Sequence, residues 1–304
     1  MSTQTARARS KFLDLRSLGA LAHMRFATRH QIEGTYSGRH RSRQKGGAGE
    51  FVDFREYSAG EDLRRLDWKV LARTGRGYIR LFEDETNLVC TLAVDASGSM
   101  DFRGRDKHAE SKLQYTQYLL TALSHIISTQ QDQVGLAVIA EGLQDVFPPG
   151  RASGHMARVQ EVIESLTTRP TSRLADGLRD LFVRTSGRGV LMIASDFLVD
   201  DLPEVFAALR LFRHRRWEVV VLHIIHPEEE QLPEGIAFRF EGLENDGVVD
   251  CSPTDLRKTY AERFAAHCAA VRQLALAIGC DYRRISTAVS YLKALSGFLV
   301  ERAG

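Results

Sequence analysis

The 304-residue chain has no apolar run near the roughly 20 residues that a membrane-spanning helix needs. Its first residues, Met1 to Arg7, lack the apolar core of a secretory signal. Four cysteines (Cys90, Cys251, Cys268 and Cys280) are scattered and form no Cys-x-x-Cys pair. Those in apolar segments read as small buried hydrophobes. Together these absences fit a reduced, cytoplasmic protein. No Gly-x-x-x-x-Gly-Lys-Ser/Thr loop is present, which excludes ATP hydrolysis by that route, and no Gly-x-Ser-x-Gly elbow marks a serine hydrolase. The ten histidines give no metal-spaced pair. His23, His30 and His40 read as solvated surface, and His223, within an apolar run, as a core residue.

What is present begins with a charge asymmetry hidden under a net charge of +2. Residues 1–50 hold 10 Lys or Arg against 3 acids, and the other 254 hold 31 against 36. The arm Arg39-His-Arg-Ser-Arg-Gln-Lys45 is suited to an anionic surface or an acidic protein. No aromatic residues interleave with these charges to stack on bases, which argues against nucleic acid.

Along the chain, residues 11–33 read as helix, 36–49 as a Gly-, Ser- and Arg-rich loop, and Phe51–Tyr57 as an extended segment. Ser58–Glu61 reads as a turn, and Asp62 as the cap of a helix ending near Thr74-Gly75. On that helix Asp67 shares a face with Leu63, Leu66 and Val70. A carboxylate there calls for a partner, Arg73 or Arg55, and reads as a buried pair pinning the segment, ahead of a catalytic role. From Leu88 onward, apolar strands alternate with helices. Strands are expected at Leu88–Val94, Val134–Ile139, Gly189–Ala194 and Trp217–Ile225. Leu143–Phe147 reads as an antiparallel edge closed by Pro148-Pro149-Gly150. Helices are expected near 113–131, 154–167, 173–185, 201–213, 253–278 and 288–302, with short strands near 237–240 and 248–251. Strands apolar on both faces and separated by helices indicate a parallel sheet covered on both sides.

The hexapeptide Asp95-Ala-Ser-Gly-Ser-Met100 follows the first of these strands. In open parallel sheets, ligands collect at the carboxyl ends of strands. One carboxylate and two hydroxyls suit a hard divalent cation such as Mg²⁺. The alternative for this stretch is a plain strand-to-helix turn with Ser99 as a cap. Asp196 ends a second strand just as Asp95 does, and Thr171-Ser172 supplies hydroxyls where a helix begins.

Asp95-x-Ser97-x-Ser99, Ser172 before Leu174-Ala-x-x-Leu178, and the strand-ending Ser195-Asp196 resemble the von Willebrand factor A domain and its metal-ion-dependent adhesion site. Ser172 stands where that family has threonine, with Thr171 as the neighbouring candidate. The resemblance implies direct oxygens from Ser97, Ser99 and Ser172, with Asp95 and Asp196 holding Mg²⁺ (or Mn²⁺ or Ca²⁺) mainly through water. A partner's carboxylate would fill the remaining position. A second resemblance spans most of the chain. Gly49-Glu-Phe51, Arg55-Glu-Tyr-Ser-Ala-Gly-Glu-Asp-Leu-Arg-Arg-Leu-Asp-Trp-Lys69 and Ala72-Arg-Thr74 are similar to the signature of the domain-of-unknown-function 58 family. Asp132-x-Val134-Gly-Leu136 and the His226-Pro227-Glu229 region also match. Glu61 stands where the usual pattern has aspartate.

The resemblance implies an α/β fold: a von Willebrand A-like, Rossmann-like doubly wound sheet, mostly parallel, with one antiparallel edge strand. An N-terminal extension would pack on it. Residues 1–86 would form the N-terminal segment, with basic arm and signature, and 87–304 the von Willebrand A-like domain with C-terminal helices. It also implies a non-enzymatic, chaperone-like or adaptor partner of a MoxR-type AAA+ ATPase or its client. Two alternatives stay open. A metal-dependent phosphoester hydrolase would commonly use a second acid two residues after a strand-end aspartyl nucleophile, where this chain has Ser97. A binder of anionic surfaces or nucleic acid would act through the basic arm, and its affinity would fall steeply with salt.

Overall fold

The computed structural model describes residues 12, 19, 26–27, 50–58, 66–83, 88–106, 108–235, 237–245 and 247–303. By compactness the chain divides into two units, residues 28–88 and residues 1–27 together with 89–304. A division at 86/87 therefore needs one correction, because the described residues of the first 27 belong with the larger unit. Phe12 packs edge-on to Tyr118, and Phe26 is fully buried beside Phe298. Gly19 is helical while Phe26 and Ala27 are not, and the rest of the expected helix over 11–33 lies outside the described residues. So do the loop over 36–49, the residues Ala59–Glu61 and Asp62 of the expected turn and cap, and His23, His30 and His40.

In the smaller unit, β1 (Glu50–Glu56) pairs antiparallel with β2 (Tyr78–Glu83), and Leu66 bridges to Ile79. Helix α1 (Trp68–Thr74) starts later than the Asp62 pattern implies. Asp67 is its N-cap: the buried carboxylate accepts the backbone N–H of Lys69 at 2.9 Å and of Val70 at 3.1 Å. An Asp in extended conformation before a helix satisfies donors that otherwise have no partner. Gly75, at φ +69°, closes the helix in the left-handed region.

The larger unit is built on a six-stranded sheet, in the order β10-β7-β6-β3-β4-β5. β3 (Val89–Asp95), β4 (Gln133–Ala140), β6 (Val190–Ser195), β7 (Glu218–Ile225) and β10 (Asp281–Ser286) are parallel, and β5 (Gly142–Gly150) is the antiparallel edge. The four central strands are buried along nearly their whole length, as their unbroken apolar runs require. Helices α2 (Lys112–Thr129), α3 (Ser153–Ser165) and α7 (Tyr291–Ala303) cover one face. Helices α4 (Leu174–Arg184), α5 (Leu202–His214) and α6 (Pro253–Ala277) cover the other. On α4, Leu174, Leu178 and Leu181 share one stripe and are all buried, each contributing roughly 1.5–3 kcal/mol. A small hairpin, β8 (Phe238–Glu241) with β9 (Val248–Cys251), lies between β7 and α6 in sequence. This is the expected von Willebrand A-like, doubly wound architecture. No described helix is long and apolar enough to cross a membrane. The four cysteines are free, with Cys251 half-buried and the others buried.

One sequence expectation is corrected here, and one strand is added to those expected. Pro148 and Pro149 lie inside β5 and do not close it, which an edge strand permits because one side of its backbone has no ladder to donate to. β10 is an additional parallel strand. Its sequence, Asp-Tyr-Arg-Arg-Ile-Ser, has no apolar run because an edge strand is covered only in part.

Helix α2 begins with a capping box. Gln114 N–H donates to Ser111 Oγ at 3.2 Å, and Ser111 N–H donates to Gln114 Oε1 at 3.0 Å. Ser111→Ala is expected to destabilise the protein by about 1 kcal/mol. The check is a lower urea midpoint with an unchanged slope, and a midpoint equal to wild type would contradict it.

Candidate functional site: the carboxyl edge of the sheet

Adjacent strands β3 and β6 run in register with Val94 beside Ala194, so Asp95 and Ser195 emerge side by side. Asp95 Oδ1 accepts the Ser97 N–H at 2.9 Å, and Oδ2 accepts the Ser195 hydroxyl at 2.6 Å. Ser195 Oγ in turn accepts the Phe197 N–H at 2.8 Å. Phe197 is buried with φ +54°, a conformation rare outside glycine that costs on the order of 1–3 kcal/mol. It directs the chain back immediately after Asp196, and its ring stacks on Phe206.

Asp196 is buried too. Its Oδ1 accepts the Leu198 N–H at 3.1 Å, and its Oδ2 accepts the Lys112 ammonium at 2.6 Å. Lys112, the first residue of α2, is fully buried and also donates to Glu229. Glu229 lies on the 3-10 turn Pro227–Glu229 after β7, where its other oxygen accepts the His226 N–H at 2.8 Å. A lysine in the first turn opposes the helix dipole. Here its two carboxylate partners account for the placement.

The hydroxyls gather on the same edge. Ser97 and Ser99 Oγ atoms are 3.2 Å apart, and the Ser99 hydroxyl helps to hold Asp196 ionised. The segment carrying Ser172 is anchored on both sides. Arg169 N–H donates to Ala96 O at 2.8 Å, and Arg173 N–H to Ala140 O at 2.7 Å. Among the described residues the buried Ser172 Oγ has no hydrogen-bond partner, whereas the exposed Thr171 hydroxyl donates to Glu141 at 3.0 Å. Of the two neighbouring hydroxyls, Ser172 is the one with a bonding site still to fill. A buried hydroxyl left so costs about 1–3 kcal/mol. The structure thus places Asp95, Ser97, Ser99 and Asp196 in one network, and holds Ser172 between two tethers to the ends of β3 and β4.

Electrostatics follow from this crowding. Burial, and next the charge of Asp196, push Asp95 up to about 6. Burial raises Asp196 as well, but the charge and hydrogen bond of Lys112, helped by hydrogen bonding from the Leu198 backbone and Ser99, more than reverse this and hold it below the usual carboxylate range. Burial pulls His223 down to about 4, so it is neutral. Its ring spans Tyr282 Oη at 2.9 Å and the Asp196 carbonyl at 3.0 Å, a satisfied core histidine as its apolar run suggests.

Sequence reasoning did not single out Lys112, whose local pattern is an ordinary helix start. Glu229 stood within the His226-Pro227-Glu229 match, with no role attached to it. Among the described residues no three His, Cys, Asp or Glu side chains converge as a metal-ligating group. The donors here are hydroxyls and two carboxylates, an all-oxygen set that fits a hard cation keeping several waters.

A family model described as "Protein of unknown function DUF58" matches residues 53–270. The chain belongs to the DUF58 family. It is 26% identical over 295 residues to an uncharacterised protein, Rv1480, of Mycobacterium tuberculosis, and equally to Mb1516 of Mycobacterium bovis. Each alignment covers 95% of this chain and 90% of the relative. Among solved structures, an aerotolerance-related membrane protein from Bacteroides fragilis is 18% identical, with a TM-score of 0.48. That match covers 71% of this chain and 100% of the other. The VWA domain of SpRpn10 is 13% identical, with a TM-score of 0.40, over 69% of this DUF58 chain and 95% of that domain.

Proposed function

We propose that the carboxyl edge holds a divalent cation, Mg²⁺ by donor chemistry, and that the loaded site grips an acidic side chain of a partner protein. The observation that carries this is an imbalance of buried charge. Asp95, Asp196 and Glu229 are buried together, and Lys112 is the cation bonded to two of them. Fully ionised, the group carries two negative charges in excess, which one divalent ion would neutralise. Ser97, Ser99 and the unpartnered Ser172 hydroxyl would supply direct oxygens. Asp196, whose carboxylate already serves Lys112 and Leu198, suits a water-mediated role.

A non-enzymatic role is favoured because both oxygens of the strand-end Asp95 are engaged, by Ser97 and Ser195, so this carboxylate is not free to act as a nucleophile. Partnership with a MoxR-type AAA+ ATPase or its client, in the cytoplasm, rests on the family resemblance. The Lys112–Asp196 pair favours a second reading, in which the lysine alone balances the edge and the loop binds a partner without metal.

Thermal denaturation distinguishes them. A ligand that binds only the folded state stabilises it in proportion to the logarithm of its concentration over Kd. Millimolar Mg²⁺ should raise the Tm of wild type by several degrees, with the rise reduced in Ser172→Ala and lost in Asp95→Ala. Capture of the ATPase from cell extract should follow the same order and be abolished by EDTA. A Tm indifferent to Mg²⁺, with capture unchanged in EDTA, would select the metal-free reading.

A further inference from the structure

The tip of the β8–β9 hairpin lies directly on the Asp95–Met100 loop. Gly242 N–H donates to Gly247 O at 2.8 Å and closes a turn that carries Leu243, Glu244 and Asn245, the last at φ +64°. Glu244 Oε1 accepts the Ser99 N–H at 3.0 Å, across 145 residues of sequence. The Leu243 carbonyl covers Gly98 so closely that a Cβ there would stand 2.1 Å from its oxygen and 3.0 Å from Glu244 Cγ. Glycine at 98 is therefore required by the approach of the tip, and no positive φ demands it. The rest of the hairpin is weakly held. Leu243, Val248 and Val249 are exposed, and both strands face solvent along much of their length.

We infer that Glu244 is a built-in occupant of the site: its carboxylate stands where a partner's acid would enter, and a partner must displace the tip to bind. This rests on the reading of the edge as a cation-assisted carboxylate site. It also defines the partner's chemistry, an acidic side chain presented from a tight turn whose backbone can lie flat against Gly98. Three features support it. The occupant is a carboxylate, it bonds the backbone of the residue whose hydroxyl would ligate the ion, and it arrives on an element with little other packing to lose.

Mn²⁺ is the probe, bound to the full-length metal-free protein and read by water-proton relaxation, which reports how many exchanging waters the ion keeps. Glu244→Gln should bind Mn²⁺ with higher relaxivity per bound ion than wild type, because removing the charge frees the covered face. Gly98→Ala should do the same by pushing the tip off sterically, with Glu244 intact. Mn²⁺ bound with equal relaxivity in wild type and both variants would overturn the occupant and leave the cation site standing. No Mn²⁺ binding by wild type or either variant would overturn the cation site and the inference with it.

Discussion

Lys112→Met should lower unfolding stability by about 3–5 kcal/mol, the usual cost of removing one partner from a buried ion pair. The methylene stem is replaced by a side chain of similar length, so packing changes little. What changes is that Asp196 and Glu229 lose their shared ammonium while remaining buried. At roughly 2–4 °C per kcal/mol, the Tm should fall by around 10 °C. The variant should also be stabilised by Mg²⁺ more strongly than wild type, since the cation then balances a larger excess of negative charge. A stability within about 1 kcal/mol of wild type would mean that the ammonium contributes little, and that the edge is hydrated.

Asp95→Asn should stabilise the metal-free protein at neutral pH. The folded protein raises the Asp95 pKa to about 6 from an ordinary 3.8, burial first and the Asp196 charge second. A carboxyl raised on folding favours the folded state while protonated. That contribution is complete below about pH 4 and is lost as pH rises through 6. At about 1.4 kcal/mol per pKa unit, ionised Asp95 costs the metal-free protein on the order of 3 kcal/mol by pH 7.5. Asparagine keeps the shape, accepts the Ser97 N–H, and can donate to Ser195 Oγ. The variant should therefore match wild type near pH 4, exceed it at pH 7.5, and decline less between them, because buried Glu229 is also raised and keeps its own share. Saturating Mg²⁺ should invert the order at pH 7.5, because only wild type has the charge to hold the ion. Urea titrations at both pH values, with and without Mg²⁺, supply the four numbers. The same pH dependence in variant and wild type would remove Asp95 as its source.

The features legible in sequence were those encoded by neighbours in the chain. Apolar runs placed β3, β4, β6 and β7, and with them the strand-end residues Asp95 and Asp196, because a strand buried on both faces leaves no other pattern open to it. The helical spacing of leucines placed α2 and α4. β10 escaped because an edge strand is half solvated, and the interior prolines of β5 escaped for the same reason. Lys112 and Glu244 escaped differently. Each acts on residues 84 and 145 positions away respectively, and neither has a local spacing that reports such a partner. Asp67 stands out in the sequence for its charge, but its service to the backbone depends on where α1 begins, a boundary that periodicity sets poorly. Ser172 was distinguished from Thr171 by alignment in the sequence and by hydrogen bonding in the fold.

At the opposite end of the sheet, Arg302 is buried between Phe26 and Phe298. It pairs with Glu218 and Asp281, the first residues of β7 and β10, and donates to the Ala27 carbonyl at 2.8 Å. That last bond joins positions 275 apart. Phe26 and Ala27 are thus made long before the groups that receive them, and take their place only once α7 is present. Phe26 meets the Phe298 ring and the Arg302 guanidinium only when α7 is in place. The sheet can assemble strand by strand, but this corner of the larger unit closes only when α7 docks.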